Sequence, residues 1–378
     1  MQIIPRIMQK QIESGLFKGK VVIIYGARQV GKTTLARQII EKYGENGHYF
    51  DCELLSVRQN LEIPEADRLR SYLGKYKLVV LDEMQKVPNA GSILKIIVDH
   101  CPEIQVIATG SSSFEMANKT GEPMTGRATR FTLYPFSISE MEQEFSRFEI
   151  DAKLEKIMRL GAYPEVFLSP DGETAKERMD EIVSNYLYKD ILAFEGINKS
   201  GIIENLLKLL ALQLGNEVSY TELAQNLGVS RLTVQKYINL LEQSFIIFTL
   251  GAFSRNLRKE ISKSVKIYFY DLGIRNSLIQ NFNALALRTD TGALWENLMI
   301  IERIKRNSFE KLRPNKYFWR TYDQQEIDFI EEHGGKLWGY EMKWSKKTVK
   351  SPKEWLSAYQ NSSFEVITRE NYFDFIAK

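Results

Sequence analysis

Eight residues, Gly26-Ala27-Arg28-Gln29-Val30-Gly31-Lys32-Thr33, fit the spacing G-x-x-x-x-G-K-[ST] without substitution. The spacing has a use only where a strand enters the loop and a helix leaves it, and both flanks are present. Val21 to Tyr25 is a continuous apolar run that reads as a buried strand, and Thr34 to Tyr43 carries Leu35, Ile39 and Ile40 on one helical face. Backbone N–H groups in such a loop converge at a helix N-terminus, where anions are favoured. Residues 26–33, with Thr34 behind them, then cradle a triphosphate. Lys32 reaches the β- and γ-phosphates and the Thr33 hydroxyl binds Mg²⁺, which makes ATP and Mg²⁺ the expected ligands. The alternative, a glycine turn before a helix by chance, has to match four specified positions and both flanks.

A chain of 378 residues suggests two or three domains at roughly 150 residues each. With 44% apolar and 26% charged residues, the composition is that of an ordinary globular protein. The longest apolar runs, Val21–Tyr25 and Phe245–Leu250, are far too short to span a bilayer. No apolar segment of signal-peptide type stands among the first twenty residues, so a cytoplasmic, reduced compartment is expected. Cys52 and Cys101 read as core residues, and with three histidines in the chain a zinc site is not indicated. Charge is unevenly spread. Residues 1–250 hold 29 Lys+Arg against 32 Asp+Glu, and residues 251–378 hold 22 against 16, a weak pointer to a polyanionic partner at the C-terminal end.

Beyond the loop, His48 to Asp51 is a second strand candidate. Leu78-Val79-Val80-Leu81-Asp82-Glu83 is an apolar run ending in two carboxylates, the pattern of a Walker B strand. Asp82 would hold the water shell of Mg²⁺, and Glu83 would orient and deprotonate the attacking water. The alternative is a buried strand that ends in exposed acids. Ile104 to Ser113 runs from a strand into small hydroxyl residues, and Arg130 to Phe136 reads as a further strand after Gly126-Arg127. Strands alternating with helices predict a parallel sheet whose ligands sit at the carboxyl ends of its strands. Thr109 or Ser111 would therefore face the γ-phosphate region, unless Ser112 or Ser113 serves instead as a helix cap.

Taken together, GARQVGKTTL, LVVLDE, ATGSSS and TGRATRFTLYPFS resemble a bacterial and archaeal branch of the AAA+ ATPases. Leu160-Gly161-Ala162-Tyr163-Pro164-Glu165 resembles the Gly-Gly-Phe-Pro signature of that branch, with Ala162 at the second glycine. The resemblance implies a P-loop core of parallel-sheet α/β type over 1–137 and a helical lid over 138–215. It further implies homo-oligomeric assembly, in which an arginine just before the last core strand reaches a neighbouring subunit's nucleotide. Arg127 holds that position, with Arg130 as its competitor; either could instead be an ordinary surface arginine.

Residues 138–215 carry apolar residues at helical spacing. Thr221 to Tyr237 then reads as helix, turn and helix, with Thr221 capping the first helix, Gly228 at the turn and Ser230 capping the second. Arg231, Thr233, Gln235, Lys236 and Asn239 would face a major groove, and Phe245–Leu250 with Lys266–Tyr270 would form a wing, giving a winged-helix module over 216–284. Protein contact is the competing use of such a module. From 285 to 378, a helix bearing Glu296 precedes two alternating strands joined at Gly334-Gly335. Asp328, Glu341 and Lys343 would meet at one end of this hairpin, opposite Glu296. The set resembles the PD-(D/E)xK core of restriction-endonuclease-like folds, with Ile327 where the proline is usual, and implies a metal-dependent nuclease site or an inactive relative of one. The function read from the whole is an Mg²⁺-dependent ATPase, a machine or switch acting on DNA. The rivals are a signalling ATPase whose C-terminal half binds a protein, and a DNA-binding regulator set by ATP.

Overall fold

The computed structural model describes residues 3–111, 124–184, 200–254, 265–321, 325–345 and 351–377. Ser112 and Ser113 lie outside these. The chain groups into two compact units, one built from 3–134 with 243–245, the other from the rest of 135–378.

In the first unit five strands form one parallel sheet: β1 (Val21–Tyr25), β2 (Gly47–Asp51), β3 (Leu78–Asp82), β4 (Gln105–Gly110) and β5 (Ala128–Thr132), in the order β2-β3-β4-β1-β5. Every residue of β1, β3 and β4 is buried, as strands covered on both faces require. The helix Lys32–Glu41 buries Leu35, Ala36, Ile39 and Ile40, and the helix Ala90–His100 buries Ile93, Leu94 and Ile97. Each such leucine or isoleucine side chain contributes about 2 kcal/mol on leaving water. Cys52 and Cys101 are buried and unbridged, as the composition suggests. The order matters because β1 lies between β4 and β5, so the loop after β1 opens beside the carboxyl ends of β4 and β3.

The second unit begins with helices, among them Arg147–Leu160, Gly172–Ile182 and Ser200–Leu212. Next come β6 (Glu217–Val218), the helices Tyr220–Leu227 and Arg231–Gln243, β7 (Ile247–Ala252) and β8 (Val265–Phe269). The first of the paired helices starts earlier than the sequence reading puts it: Ser219, and not Thr221, caps it, while Gly228 ends it in the left-handed conformation, the turn read from sequence. The helix Thr291–Phe309 leads to β9 (Asn315–Arg320), β10 (Glu326–His333), β11 (Lys336–Met342) and β12 (Ser362–Ile367). All seven strands join in one sheet, β12-β11-β10-β9-β7-β8-β6.

Sequence pattern separates 216–284 from 285–378, but the structure runs one sheet across that boundary. The join is a short parallel pairing in which Gly251 and Ala252 of β7 meet Tyr317 and Phe318 of β9. Nothing in hydrophobic alternation foretells which two strands will pair at such a distance in the chain. Among the described residues, no helix is long and apolar enough to cross a membrane.

Candidate functional site

Two polar clusters stand out, one in each unit. In the first, Gly31 with φ 96° precedes the helix that starts at Lys32. Gly26 is fixed by close approach: a Cβ there would stand 2.2 Å from the Leu133 carbonyl oxygen. The Lys32 side chain is buried, and its Nζ donates to the carbonyls of Gly26 at 2.9 Å and Ala27 at 2.8 Å. Gln29 adopts φ 60° at the exposed crest of the loop, where Arg28 is half-buried and Thr34 exposed. Below the crest, buried Arg6 donates to the Val30 carbonyl at 3.1 Å and also to the Tyr134 carbonyl, tying the loop to the segment after β5. Arg6 carries no motif signal.

The Thr33 hydroxyl donates to Asp82 Oδ2 at 2.7 Å. Tyr49 at the middle of β2 donates to the same oxygen at 2.5 Å, and Thr109 near the end of β4 donates to Oδ1. Thr109 Oγ1 also accepts from the Glu83 amide at 3.0 Å. Of the two hydroxyls read from sequence, Thr109 is thus joined to the acidic pair, while buried Ser111 stands just beyond β4. Glu83 has φ 54°, sparsely populated for a residue with a Cβ, and Gln85 donates to its Oε2. Arg37 lies 4.3 Å from the centre of the Tyr49 ring. Burial, then the hydrogen bond to Asp82, holds the Tyr49 hydroxyl well above the usual tyrosine range, so it remains a donor. Neither Tyr49 nor Arg37 was marked by spacing.

These residues supply what a triphosphate and a hard cation need: a cationic side chain in a glycine loop, and a hydroxyl beside a carboxylate at the sheet edge. Arg127 lies elsewhere. Its carbonyl accepts from the amide of Val21, the first residue of β1, so it sits at the opposite end of the sheet from its own loop. Its side chain pairs with Asp99 at 2.7 Å, and Arg130 is exposed on β5.

The second unit brings together Glu296, Asp328, Glu341 and Lys343, the four residues singled out in the C-terminal pattern. Asp328 lies where the β9–β10 register shifts, between Ile327 and Ile330, and its Oδ2 accepts from the Met342 amide at 2.8 Å. Glu341 Oε1 pairs with Lys343 at 2.5 Å, while buried Glu341 Oε2 takes no hydrogen bond. Three residues that the pattern misses complete the group: Glu326, Lys266 and Tyr268. Lys266 Nζ stands 2.5 Å from Glu326, 3.3 Å from Glu296 and 3.7 Å from Asp328. The Tyr268 hydroxyl donates to Glu296 at 2.5 Å. Burial, then the Asp328 carboxylate, pushes Glu296 up to about 8 and Glu341 up to about 7. Burial alone would draw the Lys266 ammonium down, but Glu296, Asp328 and Glu326 outweigh it and hold it above the usual lysine value. Among the described residues, no three carboxylate, histidine or cysteine side chains stand around a common point as metal ligands do. On the paired helices, Arg231, Leu232, Gln235, Lys236 and Asn239 are exposed; Thr233 is half-buried, its amide donating to the Ser230 hydroxyl at 3.1 Å.

Residues 18–142 match the family model described as an AAA domain. Residues 151–285 and 291–374 match two further models, each described as a domain of unknown function (DUF8612 and DUF4143). The chain is similar to an uncharacterized protein of Mycobacterium tuberculosis, 26% identical over 337 residues, covering 88% of this chain and 72% of that protein. It is similar also to an uncharacterized protein of Methanocaldococcus jannaschii, 25% identical over 346 residues, covering 86% and 75%. Among solved structures it is similar to Bacteroides Pif1 bound to single-stranded DNA, 15% identical with a TM-score of 0.27. That match covers 48% of this chain and 50%, about half, of the Pif1 chain. The glycine loop and the acidic pair Asp82-Glu83 both lie within the residues that match the AAA domain.

Proposed function

We propose that this chain is an Mg²⁺-dependent ATPase that uses nucleotide turnover as a switch or drive on DNA. One observation carries the reading: Asp82 accepts hydroxyls from Thr33 and Thr109, which gathers the loop hydroxyl, the carboxylate and the Glu83 backbone at one sheet edge. Bound Mg²⁺-ATP supplies the anhydride to be cleaved and the ion that offsets its charge. Lys32 exchanges the carbonyls of Gly26 and Ala27 for phosphate oxygens. Thr33 and Asp82 hold the ion, and the loop amides from Gly26 to Thr33 orient the phosphates. Glu83, with one oxygen held by Gln85, orients the attacking water and takes its proton.

On DNA, the helix Arg231–Gln243 presents Arg231, Gln235, Lys236 and Asn239 to solvent, a face suited to a major groove, with Leu232 available to a thymine methyl. A form of this reading in which the C-terminal acids cut DNA needs a divalent ion among them. The Lys266 ammonium already stands against Glu326, Glu296 and Asp328.

The test is ATP hydrolysis by the full chain with and without duplex DNA, beside DNA binding across a salt series. DNA should raise the hydrolysis rate. Arg231→Ala and Lys236→Ala should each weaken binding across all sequences and lower the salt slope by about 1. Hydrolysis without DNA binding at low salt would favour the protein-partner reading instead.

A further inference from the structure

The acid cluster of the second unit poses a charge problem that the structure answers in an unexpected way. Glu296, Glu326, Asp328 and Glu341 face two ammonium groups, Lys266 and Lys343. Carboxylates this close and this buried require a counter-cation. The usual solution for such a donor set is a divalent ion. Here the central position is taken by Lys266. Its Nζ is within 3.7 Å of three of the four acids, the side chain is 2% exposed, and its ammonium lies 5.6 Å from the centre of the Phe318 ring. A lysine tip in that place excludes an ion by volume and by charge. The lysine comes from β8, beside the paired helices, whereas Glu296 comes from the helix Thr291–Phe309 and the other acids from the β10–β11 hairpin.

We infer that Lys266 is the resident cation of this site. The cluster is closed by its own ammonium and takes neither Mg²⁺ nor Mn²⁺ as the chain folds. The carboxylate left with a bare buried oxygen, Glu341, is the one Lys266 does not reach. The inference does not depend on the chain's action on DNA, and the nucleotide site lies in the other unit.

Full-length protein without nucleotide should be titrated with Mn²⁺ by calorimetry, with free Mn²⁺ followed by electron paramagnetic resonance. The wild type and Asp328→Asn should give the same weak isotherm. Lys266→Met, which keeps the length of the side chain and removes its charge, should gain a single Mn²⁺ per chain. That ion should bind at least about tenfold more tightly than anything in the wild type, and Lys266→Met/Asp328→Asn should lose it again. Mn²⁺ should also raise the melting temperature of Lys266→Met and leave that of the wild type in place. A wild-type Mn²⁺ site that Asp328→Asn abolishes would overturn the inference, and so would a folded Lys266→Met chain that gains no ion. If Lys266→Met does not fold, Lys266→Met/Glu326→Gln removes one charge of each sign and carries the same expectation. The wild-type comparison stands whichever variant folds. ATP hydrolysis in the same samples reports the nucleotide site separately.

Discussion

The Tyr49 hydroxyl donates to Asp82 Oδ2 at 2.5 Å, the same oxygen that accepts from Thr33 at 2.7 Å. A tyrosine on the neighbouring strand thus holds the carboxylate that the loop hydroxyl also uses. Tyr49→Phe removes one donor and leaves the ring against Arg37. With a hydrogen bond to a charged group worth about 1.5–3 kcal/mol at most, turnover should fall by about tenfold and the Mg²⁺ concentration for half-maximal rate should rise several-fold. ATP affinity should change little, because Tyr49 bonds to the carboxylate, whereas Lys32 bonds to the carbonyls of Gly26 and Ala27. If both the rate and the Mg²⁺ requirement stay within about twofold of wild type, Tyr49 only packs.

Lys32 and Glu83 separate binding from chemistry. Lys32→Ala removes the cation closest to the phosphates and should abolish tight ATP binding; affinity preserved within about twofold would sink the assignment of the loop. Glu83→Gln keeps the shape of the side chain. It should bind ATP normally and hydrolyse it about 100-fold more slowly, the usual scale for loss of a general base. A Glu83→Gln chain turning over at the wild-type rate would take the residue out of that role.

Arg127 can serve a nucleotide only in trans, since it stands at the far end of the sheet from its own loop and is paired with Asp99. The expected outcome is a wild-type rate per chain that rises with protein concentration. In Arg127→Ala the rate should stay low at every concentration, with ATP binding intact. A flat rate from dilute to concentrated wild-type protein would leave Arg127 as a surface ion pair, which is worth about 0–1 kcal/mol.

The sequence made the first unit legible where local spacing decides the structure. Gly26 to Thr33 and Leu78 to Glu83 need only a strand end and a short loop to put Lys32, Thr33, Asp82 and Glu83 at one edge. It did not reveal Tyr49, because only the pairing of β2 with β3, which sets Tyr49 opposite Val80, brings that hydroxyl to Asp82. Lys266 was hidden for the same reason on a larger scale. Its strand reads as part of a wing, and only the β7–β9 join places it with acids some thirty and sixty residues later. Side-chain alternation says which residues face together along one strand, and nothing about which strand lies next to it.

Asp290, just before the helix Thr291–Phe309, bonds to Arg288 at 2.8 Å and to Arg275 at 2.5 Å. Burial alone would raise its carboxyl, but the hydrogen bonds from Arg288 and Arg275 outweigh it and hold it down at about 2. Burial also draws Arg275 below the usual arginine range, yet a guanidinium stays charged at any working pH, so the group titrates through Asp290. Its value is depressed in the folded chain, so the unfolded chain binds the proton more readily. The stabilisation is therefore complete above the unfolded value near pH 4 and is lost as pH falls from about 4 to about 2. Asp290→Asn leaves the Arg275 side chain, 3% exposed, without its carboxylate. At pH 7 this should cost about 3 kcal/mol, seen as a lower midpoint in urea with an unchanged slope. The gap between wild type and variant should shrink steadily from pH 5 to the lowest pH at which both still fold. A gap that keeps its size across that range would mean that Asp290 holds the two arginines by shape and not by charge.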